Sequence, residues 1–193
     1  MDLKENSLVW AREKCLGTQS PNPGELLEEL MANPKCAAFG PAHHFLVGAA
    51  LTTSLDRAKD EGGAKLEADL EELFARSLQL PGAACAKWGI CAAAISAGMV
   101  YSIAAGTAPL KREGWSEGQA MVASITAQIA QAGAPRCCKR DARIAVEHAT
   151  EVFTRDFGVA FPPVKGPRKA CAVADQNTVC IGTACPYFAS DSA

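Results

Sequence analysis

The chain has 193 residues, 49% of them hydrophobic and 21% charged, with a formal net charge of -2. That is enough apolar material to bury the core of one ordinary domain, and it excludes wholesale disorder. The balanced charge gives no global basic field for nucleic acid, and no lysine-rich helix argues for a membrane surface.

The first residues, Met-Asp-Leu-Lys-Glu-Asn, are charged and precede no apolar run with a small-residue cleavage site, so a cytoplasmic location is expected. Residues 8–16 read as a short helix with Gly17 behind it, and the turn 20–24 leads to a second helix over 25–31. Cys15 falls on the first helix and is expected to be a small core residue. Residues 41–55 form an apolar helix that opens on Pro41 and carries His43 and His44, with Cys36 just before it. These two histidines are adjacent, so only one is expected to face a site on one side of the helix. Residues 65–78 place Leu66, Leu70, Leu73, Phe74 and Leu78 on one face against Glu67, Asp69, Glu71 and Glu72 on the other, an amphipathic surface helix.

From 88 to 110 no residue is charged, and Ala, Gly, Ile, Ser and Cys predominate. The length would suit a membrane span. Its small, weakly hydrophobic side chains and Pro109 favour a helix buried in the middle of a helical domain instead. Ser116 and Gln119 have the spacing of a capping box, which predicts a helix over 116–132. A last helix over 141–157 carries His148 on its apolar face, where a hydrogen-bonded core histidine is the ordinary role. The tail 159–193 contains Pro162, Pro163, Pro167 and Pro186 and reads as loop organised by ligands. The expected fold is therefore all-α: one helical domain spanning 1–193, with a buried Ala/Gly-rich central helix and the cysteine-rich tail folded back on it.

Nine cysteines stand out in such a chain. A reducing cytosol keeps few structural disulfides, which turns attention to metal, cluster or thiol redox chemistry. Gly133-Ala-Pro-Arg-Cys-Cys-Lys-Arg140 joins two thiols to three cations at an expected helix start, where the dipole and the cations favour thiolate at Cys137 or Cys138. Cys171, Cys180 and Cys185-Pro186 follow a C-x8-C-x4-C-P spacing in a glycine-containing loop. Such a loop can wrap an iron-sulfur core, with Cys137 or Cys138 supplying the missing ligand. Cys85 and Cys91 form a second grouping before and at the start of the uncharged segment, which Cys36 could join in space. The competing reading of that grouping is a pair of small core residues. Zinc would take similar ligands, but the chain lacks paired C-x2-C knuckles. Arg136 and Arg140 are candidates to face a small anion, with salt bridges to Asp141 or Glu147 as the alternative. No nucleotide-binding glycine loop and no G-x-S-x-G elbow is present.

Three stretches carry a resemblance: Gly133-Ala-Pro-Arg-Cys-Cys-Lys-Arg140, the Gly82-Ala-Ala-Cys-Ala-Lys-Trp-Gly-Ile-Cys91 run, and Cys180-Ile-Gly-Thr-Ala-Cys-Pro-Tyr187. Over roughly 36–188 the chain resembles a family of uncharacterised cysteine-rich domains of anaerobic bacteria and archaea, some joined to methyltransferase modules. The resemblance implies a helical iron-sulfur protein of anaerobic metabolism and no particular reaction. The expectation is a cluster, most simply of the four-iron type, used in redox or in sulfur or small-molecule transformation. The alternative is a structural zinc or cluster-stabilised interaction module without catalysis. A redox partner protein, a small anionic substrate or a second copy of the chain are the open partners.

Overall fold

The computed structural model describes residues 8–61, 63–163 and 170–188. Among them lie eight α-helices, a single turn of 3-10 helix at Gly182–Ala184 and no strand. In chain order the helices are α1 (Val9–Gly17), α2 (Pro23–Met31), α3 (His43–Lys59), α4 (Gly63–Ser77), α5 (Ala84–Lys87), α6 (Ala92–Ala105), α7 (Trp115–Gln131) and α8 (Cys138–Phe157). The all-helical, single-domain expectation matches this arrangement.

Local signals account for most of the boundaries. At α2, Pro23 occupies the first turn, where its missing N–H costs nothing, and the Asn22 side chain accepts from the Glu25 amide at 2.9 Å. Leu26, Leu27, Leu30 and Met31 then bury the inner face. In α4 the predicted stripe of Leu66, Leu70, Leu73 and Phe74 is buried. The Phe74 ring meets Phe45 of α3 edge-on, with centroids 5.2 Å apart.

The centre of the domain is α3, in which 14 of 17 residues are buried and which packs against α1, α2, α4, α6 and α8. Small residues make that crowding possible. A Cβ added at Gly48 would lie 2.8 Å from both Leu73 Cδ atoms and from Ser96 Oγ, so α4 and α6 both press on α3 there. The Ser96 hydroxyl also accepts from the Gly48 amide at 2.9 Å. A Cβ added at Gly98 would come within 2.6 Å of Val122, so α6 meets α7 as closely. This is the close approach that a core poor in aromatics requires.

Three expectations about element ends need correction. The uncharged stretch 88–110 is not one helix: Gly89 and Gly106 take positive φ of 70° and 57°, which confines the regular part to α6. Trp88 and Leu110 are consequently left 54% and 98% exposed. α6 shares the middle of the domain with α3, and no described helix is long and apolar enough to cross a membrane. Ser116 does not cap α7, because Gly114 at φ 77° takes the capping position one residue before Trp115 and no side chain caps it. α8 opens at Cys138, three residues before its apolar pattern begins, because its first turn is made of charged residues that are buried.

The tail crosses back over the bundle. Asn22 donates to the Pro162 carbonyl at 2.9 Å, and Tyr187 donates to Glu147 of α8 at 3.0 Å while its ring lies under the Arg143 guanidinium. Residues 164–169 and 189–193 of the expected cysteine-rich tail lie outside the described residues.

Because Gly48 faces two helices at once, Gly48→Val should lower stability by about 1–3 kcal/mol through overpacking. Gly17→Ala, with nothing within 4 Å of the added Cβ, should change it by less than about 0.5 kcal/mol. Urea unfolding of the two variants beside the parent checks this. Equal loss in both would show that the close approach is not limiting.

Candidate functional site

Several of the functional candidates lie around the first two turns of α8, where Lys139, Arg140, Asp141 and Arg143 are all buried. Charge is tolerated inside a protein only where it finds partners. Arg140 donates to the Gly133 carbonyl at 2.6 Å, to the Pro135 carbonyl at 3.3 Å and to Asp141 Oδ1 at 3.2 Å. Its guanidinium therefore pins the loop that carries Arg136 and Cys137. Lys139 reaches the last carbonyl of α2, Met31, at 2.9 Å and the Cys36 sulfur at 3.5 Å. Arg143 makes a two-pronged pair with Glu28 of α2, with Nη2 2.8 Å from Oε2. These three cations tie α8 to α2 and to its own approach loop, and so fix where Cys138 sits.

Cys138, the first residue of α8, borders a cavity of about 480 Å³ together with Cys85 of α5 and Cys91, the residue that caps α6. Phe39, Gly40, His43, His44, Lys87, Arg136 and Asp141 complete the parts of the wall that bear on chemistry. The sulfur of Cys138 receives two donors, the Gly40 amide at 3.4 Å and Arg136 Nη1 at 3.0 Å. Gly40 stands at φ 134°, a conformation that favours glycine, and this aims its amide at the sulfur. Cys91 donates to Asp141 Oδ2 at 3.8 Å.

Burial dominates the proton affinities here. The Cys91 thiol is pushed up to about 12 by burial, with Asp141, Cys138 and Cys85 adding negative charge nearby. Cys138 is also raised by burial, against the opposing pull of the Gly40 amide and Arg136. The expectation of an easily ionised thiol at this helix start is therefore not met at Cys138, because desolvation outweighs the cations. Burial raises the Asp141 carboxyl too, against Arg140. A thiol site of this kind is held protonated until something cationic enters it.

A second contact lies behind the cavity wall. His43 Nδ1 is 3.1 Å from the Gly40 carbonyl, which can only accept, so the proton sits on Nδ1 and Nε2 faces Cys36 Sγ at 3.9 Å. Burial, with Lys139 next, lowers His43 to about 4 and keeps it neutral. Burial raises Cys36 in turn, with Lys139 opposing.

The sequence candidates thus fall into separate places. Cys85, Cys91 and Cys138 are brought together, while Cys36 lies next to them through His43. The adjacent pair splits, since Asn177 of the tail points at the Cys137 sulfur, 3.9 Å away. Cys171, Cys180 and Cys185 do not border the cavity. Cys171 bonds through its amide to the Tyr187 carbonyl at 2.9 Å and interacts with Arg143, and Cys180 is exposed. Arg136 is exposed, stacks over Phe39 at 5.7 Å and borders the cavity, whereas the Arg140 fork is committed to its own loop. Both His43 and His44 border the cavity, although adjacent histidines were expected to diverge. His148 is remote, with Gln128 of α7 2.7 Å from its Nδ1. Cys15 is a core residue, fully buried and directed at the Ala49 carbonyl. Asp141, Gly40 and Lys139 were not singled out as site residues. The one available signal was a run of three charges at 139–141, with Arg143 close behind, inside an otherwise amphipathic helix pattern.

The model of a family of unknown function (DUF5714) matches residues 11–188, which is nearly the whole chain. No curated protein and no solved structure matches.

The buried neutral His43 sets a pH dependence. Its folded value of about 4 lies below the ordinary 6.5, so between these limits the unfolded chain binds more protons. Stability of the metal-free protein should therefore rise as pH goes from about 4 to 6.5, by up to about 3 kcal/mol, and level off above. His43→Gln should flatten that rise. Urea midpoints measured across the range check it, and a slope unchanged in the variant would assign the effect elsewhere.

Proposed function

We infer that this chain, which belongs to the DUF5714 family, binds an iron-sulfur cluster through Cys85, Cys91 and Cys138 and works in a redox or small-molecule-transforming step. The observation that carries this reading is that thiols from three separate segments border one cavity. Nine free thiols also suit a reducing, cytoplasmic setting.

The donor set fits such a group. Among the described residues no three His, Cys, Asp or Glu side chains converge closely enough to hold a single metal ion. Tetrahedral zinc gathers its donors to about 2.0–2.3 Å from one point. A cluster distributes its thiolates over several irons, so thiols ranged around a roomy cavity suit it better. The Gly40 amide and Arg136 at the Cys138 sulfur are donors of the kind that stabilise a cluster thiolate. When bound, a cluster supplies one-electron transfer, or Lewis acidity at an iron without a protein thiolate.

The remaining wall residues define what else enters. Arg136 and Lys87 place two cations at the cavity, which favours a small anionic substrate over a neutral one. Arg140 pins the loop and does not line the cavity.

A second reading keeps the sequence expectation of a tail site. Cys137 faces the tail at Asn177, and Cys171, Cys180 and Cys185 lie on that tail, folded over α8. Such a site would act as an electron-transfer or structural module.

Purification without oxygen, followed by iron, sulfide and zinc analysis, tests the reading. Iron and sulfide in equal amounts, at about four each per chain, are expected. Cys85→Ser, Cys91→Ser and Cys138→Ser should each lose most of both, while Cys15→Ala and Cys180→Ser keep them. Loss confined to variants at 137, 171, 180 and 185 would move the cluster to the tail. Stoichiometric zinc without sulfide would replace it with a zinc module.

A further inference from the structure

We propose that Asp141 is the fourth, oxygen donor of the cavity site, binding the one iron that no cysteine holds and giving it up to an incoming anion. The inference rests on the cluster reading above and concerns its open position.

Asp141 is the sole carboxylate on the described cavity wall. It is 3% exposed, and its two oxygens have different surroundings. Oδ1 is held by Arg140 at 3.2 Å, and Arg140 is itself fixed by the Gly133 and Pro135 carbonyls. Oδ2 faces the thiols, with the Cys91 sulfur 3.8 Å away as its donor. The carboxylate shares the cavity wall with Cys85, Cys91 and Cys138.

Oδ2 already stands 3.8 Å from the Cys91 sulfur, so a cluster held by that sulfur lies within reach of the same oxygen. The other donors on the wall fit less well. His43 is engaged by the Gly40 carbonyl and Cys36. Cys137 faces Asn177, and the three tail cysteines do not border the cavity. His44 is the competing nitrogen donor and is separated by the test.

The Arg140 bond explains why the oxygen should be exchangeable. Arg140 withdraws charge from the carboxylate and makes it a weaker iron ligand than a thiolate, while keeping it in place. An anionic ligand drawn in by Arg136 and Lys87 can displace Oδ2, while the carboxylate keeps its Arg140 partner through Oδ1. The exchange breaks one iron–oxygen bond and forms another, and no electron moves.

The test is Mössbauer spectroscopy on the full chain purified without oxygen and loaded with iron-57, for the parent and for Asp141→Asn, Asp141→Cys and His44→Asn. The parent should show one iron of four distinct from the other three. Asp141→Cys should make the four alike. Asp141→Asn should lose that iron on mild oxidation, leaving three, and His44→Asn should behave as the parent. Citrate, as a small polycarboxylate probe, should shift the distinct iron in the parent and have no effect on Asp141→Cys. Circular dichroism of each variant confirms the fold. Four equivalent irons in the parent, or a distinct iron unchanged by Asp141→Asn or lost in His44→Asn, would overturn the proposal while leaving the cluster reading intact. Iron that is absent, or retained when Cys85, Cys91 and Cys138 are changed to serine, would overturn both.

Discussion

Burial of four charged side chains at one helix start is the constraint from which the rest of this structure follows. Lys139, Arg140, Asp141 and Arg143 occupy the first turns of α8 inside the domain, and each isolated charge there would cost several kcal/mol. Arg140 is held by Asp141 and by the loop that precedes it, although its buried Nη1 has no hydrogen-bond partner, Arg143 by Glu28, and Lys139 by the end of α2 and the Cys36 sulfur. No helix propensity requires this. The charges act as position markers, because α8 can seat in only one register on α2 and α3 without orphaning one of them.

That register is what turns scattered cysteines into a site. Cys138 is brought against the Gly40 loop and opposite Cys85 and Cys91, while its neighbour Cys137 is turned toward the tail. The close packing of α3 with α6 through Gly48 and Ser96 fixes the other wall. A cavity of about 480 Å³ results, with Cys91 and Cys138 thiols that burial raises and two cations at its border. Such a site is poor at thiolate chemistry alone. It is suited to taking up a cationic group that compensates the desolvation.

The helices were legible because their apolar spacing survives in the fold. Leu66, Leu70, Leu73 and Phe74 are buried as their period demands, and Met121 and Ile125 likewise. Boundaries were less legible where backbone conformation decides. Gly89, Gly106 and Gly114 interrupt or start helices through positive φ, which composition does not reveal. Of the candidate site, the sequence pointed to the thiols, to the 133–140 stretch and to the Cys85–Cys91 grouping, but placed Cys138 with the tail cysteines and not with that grouping. Cys85 and Cys138 are 53 positions apart and meet only because α8 packs across α6. Asp141 was hidden by its charge, since a carboxylate next to arginine reads as a surface pair, and only its burial shows otherwise.

The central claim is that the cluster lies in the cavity between α3, α5, α6 and α8. A crystal of the protein grown without oxygen and measured at the iron absorption edge tests it directly. The account predicts one compact group of anomalous peaks in that cavity, with a different iron within bonding distance of each of the Cys85, Cys91 and Cys138 sulfurs. A peak beside Cys171, Cys180 and Cys185, or no iron at all, would contradict it.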